Sequence, residues 1–258
     1  RTRFVFDLAN NAVLDLHTGE SIVASGFNTA FPETVKIGDK NVSKSVLFLK
    51  SSEKVCVSGT VYRPDVSEVL VEHEGMLRVN SYRAPKHPIL SPEEDARLYA
   101  AFVKHVEYLC PNAFESKYLL DWLACKAQYG DFRGNGIVHL SPNFGTGRDT
   151  LFMLLGLAFG SNNTGTSTYN AIIKGGFDDF VETQFVFLSE AKDDSRNAAY
   201  TAFERLKELV DPNVGNKHIN RKYKAGYMGK DFRSFLIASN DSGAIHIPEG
   251  DRRFFVIQ

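Results

Sequence analysis

Gly136-Ile137-Val138-His139-Leu140-Ser141-Pro142-Asn143-Phe144-Gly145-Thr146-Gly147-Arg148-Asp149-Thr150 sets the terms for the rest of the chain. Its apolar opening, Ile137 to Leu140, predicts a buried strand. A glycine-bearing loop follows, and Leu151 to Phe159 is an apolar segment long enough for a helix. Strand, glycine loop and helix in that order is the layout of a P-loop, in which backbone N–H groups and a helix N-terminus converge on one anion site. The usual pattern is G-x-x-x-x-G-K-[ST]. Here Gly147 holds the last glycine place, but Pro142 replaces the first glycine. Arg148 stands for the lysine and Asp149 for the Mg²⁺-binding hydroxyl. A plain strand-turn-helix connection is the better account of the stretch when it is taken alone.

Two further apolar runs lift it above coincidence. Gln184-Phe185-Val186-Phe187-Leu188 leads into Ser189-Glu190, and Phe235-Leu236-Ile237-Ala238 leads into Ser239-Asn240. Long apolar strands alternating with helices predict a largely parallel, buried sheet. In such sheets ligands bind beyond the carboxyl ends of the strands, so the loop, Glu190 and Asn240 are expected at one site. The loop residues Gly145, Thr146, Gly147, Arg148, Asp149 and Thr150 would cradle phosphates. Glu190 would hold Mg²⁺, with Asp149 as a second ligand, or polarise an attacking water. Asn240 would bond the terminal phosphate or that water. Asp251-Arg252-Arg253 follows the third strand, and either arginine could serve as an arginine finger, on its own site or a neighbour's. The bland alternatives are a solvated strand end for Glu190, a turn residue at Asn240 and a surface ion pair at Asp251.

At 258 residues, 43% apolar and 24% charged, the chain has the composition of an ordinary globular protein. The net charge of −1 advertises no nucleic-acid partner for the chain as a whole, so any such contact must be local. Three cysteines without a C-x-x-C pair indicate neither a disulfide framework nor a zinc site, and fit a reducing, cytoplasmic setting. No apolar run approaches a membrane span. The first residue, Arg1, and the strand-like ending at Gln258 suggest a piece of a longer polypeptide.

Residues 1–90 are expected to form a β-rich accessory domain. Phe4–Phe6, Ala12–Leu16, Val46–Leu49, Val55–Val57, Val69–Val71 and Met76–Val79 look like short strands between turn residues. A helical lead-in, residues 91–130, follows. Ser91-Pro92-Glu93-Glu94 combines a capping box with proline at the first helical position. Leu98, Phe102, Val106 and Leu109 make one apolar face. A second helix runs from about Glu115 to Gln128, with Trp122 as core. Residues 131–258 form the α/β portion, with a polar loop at Ser161–Ser167, a short helix at Asn170–Lys174 and an amphipathic helix from Asn197 to Val210. Between Lys217 and Arg233 six basic residues face the single acid Asp231, interleaved with Tyr223, Tyr227 and Phe232 around a turn at Ala225-Gly226. Basic and aromatic groups together suit a single-stranded nucleic acid; a solvated basic hairpin is the simpler reading.

With these motifs assembled, residues 91–258 resemble the helicase domain of phage and plasmid primase–helicase proteins, the superfamily-three-like, poxvirus-type group of P-loop ATPases. The resemblance is carried by Tyr118–Ala124, Phe144-Gly145-Thr146-Gly147, Phe187-Leu188-Ser189-Glu190, Arg221-Lys222-Tyr223-Lys224, Ala238-Ser239-Asn240 and Asp251–Phe254. It implies a P-loop NTPase (ASCE/AAA+-like) sheet flanked by helices, using ATP or another NTP with Mg²⁺. The subunit would belong to a homo-oligomeric ring, usually a hexamer, that moves on single-stranded DNA in the host bacterial cytoplasm. An attached primase-polymerase domain and no membrane partner are also implied. Glu190, Asn240, Arg252 and Arg253 take the catalytic places, and Arg221, Lys222 and Lys224 take the DNA-contacting hairpin. Arg148, Asp149 and Ser189 depart from the pattern, since a planar guanidinium does not replace a point-charge lysine conservatively. The rival reading is therefore a pseudo-ATPase serving as an oligomerising, DNA-binding collar. A small-molecule kinase-like enzyme is a third, which leaves the basic hairpin without a use.

Overall fold

The computed structural model describes the chain apart from residues 1, 144, 169–179, 181, 190–195, 212–214, 221–225, 242–244 and 246, and apart from the side chains of 196–199 and 201–202. The chain divides into two compact units. The first comprises residues up to Arg63, Ser67–Ser81 and a short piece ending at Tyr227; the second takes the remainder.

In the first unit, β1 (Phe4–Asp7), β2 (Ala12–Asp15), β3 (Ser21–Val23) and β6 (Cys56–Val57) form a sheet in the order β3-β2-β1-β6. Helix α1 (Ala24–Ala30), the hairpin β4–β5 (Thr34–Ile37 and Lys40–Ser43) and helix α2 (Lys44–Lys50) fill the interval between β3 and β6. Strands β7 (Thr60–Val61), β8 (Leu70–His73) and β9 (Met76–Asn80) form a second small sheet. Val5, Leu14, Val57 and Val79 share a core, and Phe4 meets Phe27, Phe31 and Phe48 edge to face while Phe27 lies tilted against Phe48. The strand expected at Val46–Leu49 is helix α2. A four-residue apolar run is compatible with either element, and here Phe48 meets the aromatic group from a helix.

The second unit holds α3 (Pro92–Leu109), α4 (Ala113–Gln128), β10 (Gly136–Leu140), α5 (Arg148–Phe159), β11 (Thr164–Thr168), β12 (Phe185–Ser189), α6 (Arg196–Val210), β13 (Lys217–Ile219), β14 (Tyr227–Gly229), β15 (Ser234–Ser239) and β16 (Phe254–Ile257). The capping box at Ser91 is formed: its hydroxyl accepts from Glu94 N–H and the Glu94 carboxylate accepts from Ser91 N–H. Five strands pair in parallel in the order β11-β12-β15-β10-β16, so the chain has an α/β fold around a parallel sheet. Successive strand residues serve opposite faces. Ile137, Phe185, Phe187 and Leu236 pack with Trp122, Leu119 and Leu123 of α4 and with Leu151 and Leu155 of α5. Val138, Val186, Phe235 and Ile237 pack with Phe203, Leu206 and Val210 of α6. Each such side chain, fully buried, contributes roughly 1.5–3 kcal/mol, which is why strands apolar on both faces occupy the middle of the sheet.

Two expectations in this unit need correction. Ser161–Ser167 is not a loop throughout, because Thr164–Thr168 is the edge strand β11, whose polar residues carry no apolar signal. The apolar stripe of α3 is only half used: Val106 and Leu109 are buried, whereas Leu98 is 49% exposed. The short helix expected at Asn170–Lys174 lies outside the described residues. No helix among the described residues is long and apolar enough to cross a membrane.

Candidate phosphate site at the strand ends

The three strands whose endings carry the expected site residues are immediate neighbours, β12, β15 and β10, and all run the same way. Leu140 pairs with Ser239, and Leu188 with Ile237, so their carboxyl ends fall within about one residue of one another. Glu190 follows Ser189, the last residue of β12, but lies outside the described residues, as does Phe144.

The loop after β10 delivers the chain to α5 through Gly145 and Gly147, at φ 68° and 91°. Both angles lie in the left-handed region that favours glycine. Gly147 is the N-cap of α5 and offers no side-chain acceptor to the first-turn N–H groups, which leaves them available to an anion. Asp149 and Thr150, in that first turn, are exposed. Among the described residues no three His, Cys, Asp or Glu side chains gather to hold a metal ion.

Arg148 does not extend from the helix start toward solvent. Its Nη1 donates to the Ser239 carbonyl at 2.9 Å and its Nη2 donates to Asn240 Oδ1. The loop and the end of β15 are therefore joined by one guanidinium fork, and Gly147, Arg148 and Asn240 share one place. Charge-assisted bonds of this kind, partly shielded from water, are worth more than neutral ones. Arg148→Ala is expected to lower unfolding stability by about 1–3 kcal/mol in urea titrations. An unchanged midpoint would mean that the fork holds nothing together.

Behind the fork, His139 of β10 is pushed down to about 4 by burial first and then by the Arg148 charge, a hydrogen bond to the Leu109 backbone working the other way. It is therefore a neutral imidazole at physiological pH. A small cavity beside it is lined by Leu109, Cys110, Leu119, His139, Arg148 and Phe187. Burial, aided by Glu115, pushes the Cys110 thiol up to about 12, which makes it an inert filler. His105 of α3 closes on the loop from the other side: its Cε1 lies 3.0 Å from where a Cβ on Gly147 would sit. Nothing local in the sequence singles out His105 or His139; both are brought to the loop by tertiary packing.

The other expected residues fall elsewhere. Arg252 and Arg253 precede β16, whose Phe254 pairs with Gly136 at the start of β10, so they stand at the amino end of the sheet, opposite the loop. Arg253 bonds Asp251 at 2.9 Å and Asp211 at 3.4 Å. Within the same chain they do not reach the loop. Arg221, Lys222 and Lys224 lie outside the described residues. The rest of the basic patch is only partly a solvated face. Arg233 is buried on Asp231, Lys217 reaches the same carboxylate at 2.5 Å, and Lys230 pairs with Asp131. Phe232 and Tyr227 are buried as well. The acid read as outnumbered in the patch is the group that Arg233 and Lys217 hold.

Residues 140–253 match a family of unknown function, DUF5906. The DNA primase-polymerase of Nitratiruptor phage NrS-1 is 29% identical over 140 residues, 54% of this chain and 19% of that protein. Among solved structures, the apo C-terminal region of NrS-1 superposes with a TM-score of 0.73 at 24% identity, covering 98% of this chain and 58% of that one. Its A form gives 0.65 at 22% identity, with the same coverage of both chains. The chain thus spans about a fifth of the curated relative and somewhat over half of the solved region. It is similar in sequence to a phage primase-polymerase, and it has the fold of that protein's C-terminal region.

Proposed function

We propose that the second unit is a P-loop-type NTPase module of a phage replication protein, an ATP-dependent ring motor on single-stranded DNA. In this reading it works beside a primase-polymerase domain in the full-length polypeptide. The observation that carries it is the Arg148 fork, which ties the glycine loop to Asn240 on the adjacent parallel strand. Similarity to the NrS-1 primase-polymerase supports a place in phage replication.

The residues present fit a polyphosphate. Gly145 has open space where a Cβ would be, the first turn of α5 has no side-chain cap, and Thr146 Oγ1 is buried with no hydrogen-bond partner. A nucleotide's phosphates would rest on the N–H groups of α5. Asn240, held by Arg148, would orient the terminal phosphate or its attacking water, and Glu190 would accept that water's proton. Asp149 and Glu190 are the carboxylates that would hold Mg²⁺, which supplies charge neutralisation on the phosphates when bound. Arg252 or Arg253 would act as a finger only on a neighbouring subunit's site in a hexameric ring, and Arg221, Lys222 and Lys224 would contact the DNA backbone.

A second reading has its own observation. The fork turns Arg148 onto the protein, and no lysine stands in its place, which suits a collar that holds DNA and neighbours without turning over nucleotide. The two readings separate in one experiment: NTPase rate with and without single-stranded DNA, for wild type and Glu190→Gln. The motor predicts DNA-stimulated turnover lost by at least about 100-fold in the variant, in keeping with removal of a positioned base. Equal background rates in all four samples would leave the collar. In that case Arg148→Lys combined with Asp149→Thr should create Mg²⁺-dependent nucleotide affinity in calorimetry.

A further inference from the structure

Five buried side-chain polar atoms among the described residues have no hydrogen-bond partner, and two of them flank Gly147: Thr146 Oγ1 and His105 Nε2. They come from different elements, the loop and α3. His105 Cε1 is 3.0 Å, and its Nε2 3.8 Å, from the point a Gly147 Cβ would occupy. The Cε1 edge of the ring therefore abuts the loop at Gly147, beside the start of α5. Buried polar atoms in folded proteins are nearly always partnered by protein, water or a bound group, so two such atoms at the residues beside Gly147 call for an explanation. The complementary group must accept from an imidazole N–H and a hydroxyl at once, beside uncapped helix N–H groups. A phosphoryl group, with several exposed oxygens, meets that demand.

We propose that His105 is a phosphate-contacting residue of this loop. Its Nε2–H and the Thr146 hydroxyl donate to non-bridging oxygens of the phosphate seated on α5. His105 thereby supplies, from a different helix, the donor that the loop's lysine would give and that Arg148, bound to Ser239 and Asn240, does not. This assignment rests on the nucleotide reading above and adds to it a residue for which the loop motif has no place.

The test is calorimetric titration of Mg·ATP, and separately of inorganic pyrophosphate, into the whole chain as wild type, His105→Phe, His105→Gln and Thr146→Val. Phenylalanine keeps a flat ring against Gly147 and removes the nitrogen. Glutamine restores an N–H donor at similar reach. His105→Phe and Thr146→Val should each weaken both ligands about 10- to 100-fold, the range for a hydrogen bond to a charged group, with unfolding midpoints unchanged. His105→Gln should recover at least part of the loss. Wild-type affinity in His105→Phe would overturn the role of His105 and leave the nucleotide site standing. Equal loss in the Phe and Gln variants together with a lowered midpoint would make His105 a packing residue and overturn the proposal. No binding of either ligand to wild type would overturn the proposal and the nucleotide reading together.

Discussion

Asp231→Asn is expected to lower the unfolding free energy by about 3–5 kcal/mol, the usual cost of stranding buried charges by removing one partner. Asp231 has a side chain 1% exposed, and it bonds Arg233 through Nε at 2.9 Å and Nη2 at 2.8 Å. Lys217 reaches it at 2.5 Å and Arg133 approaches to 3.9 Å. Burial alone would raise this carboxyl, but the Arg233 charge and hydrogen bonds, then Lys217 and Arg133, hold it well below the usual carboxylate range. The sign follows from linkage. A folded-state value below the unfolded one means that the carboxylate's contribution is fully present above the unfolded pKa near 4 and is lost as pH falls further. Urea midpoints for wild type should therefore drop steeply below about pH 4, and Asp231→Asn should be weak throughout with a shallower acid limb. A variant as stable as wild type at pH 7 would show that the two guanidinium groups find other partners.

Lys126→Met is expected to remove a pH dependence of the same sense in a much higher pH window. The Lys126 ammonium is wholly buried, and donates to the carbonyls of Phe132 and Phe232 at 2.6 Å each. Burial first, and then the charge of Arg133, push it down to about 7 from its ordinary 10.5. Between those values the unfolded chain carries a proton that the native one has shed. Stability must therefore rise with pH from about 7 toward 10, by something on the order of several kcal/mol at 1.36 kcal/mol per unit. Methionine is flexible enough to fill the space, but it leaves two carbonyls without a donor at a cost of about 1–3 kcal/mol each. The variant should be less stable than wild type at pH 9 and nearly flat from pH 7 to 9.5. Parallel curves for the two proteins would place the titrating group elsewhere.

What the sequence discloses about this fold tracks how local each cause is. Ile137–Leu140, Phe185–Leu188 and Phe235–Ala238 are legible as buried parallel strands because both faces of each are apolar. Ser91 with Glu94 is legible as a helix start because a capping box is a contact between near neighbours. The junction of Gly147 and Asn240 could be anticipated from strand endings alone, since a parallel sheet gathers them at one edge. The charged residues Lys126, Arg133, Asp231 and Arg233 carry no mark of burial; what buries them is their meeting one another. Arg133 donates to the carbonyls of Leu209 and Asp211 at the carboxyl end of α6, a helix nearly eighty residues further on, so no window of sequence contains its reason. His105 is hidden for the same cause. Thr164–Thr168 escapes because a strand at a sheet's border need not be apolar.

The buried ion cluster and the glycine loop sit at opposite ends of the same strands. Phe132 and Phe232, whose carbonyls Lys126 ties together, lead into β10 and β15, the two strands that end at the fork. With the far end fastened in this way, changes at positions 148 and 149 should cost the loop its local bonds without unravelling the sheet.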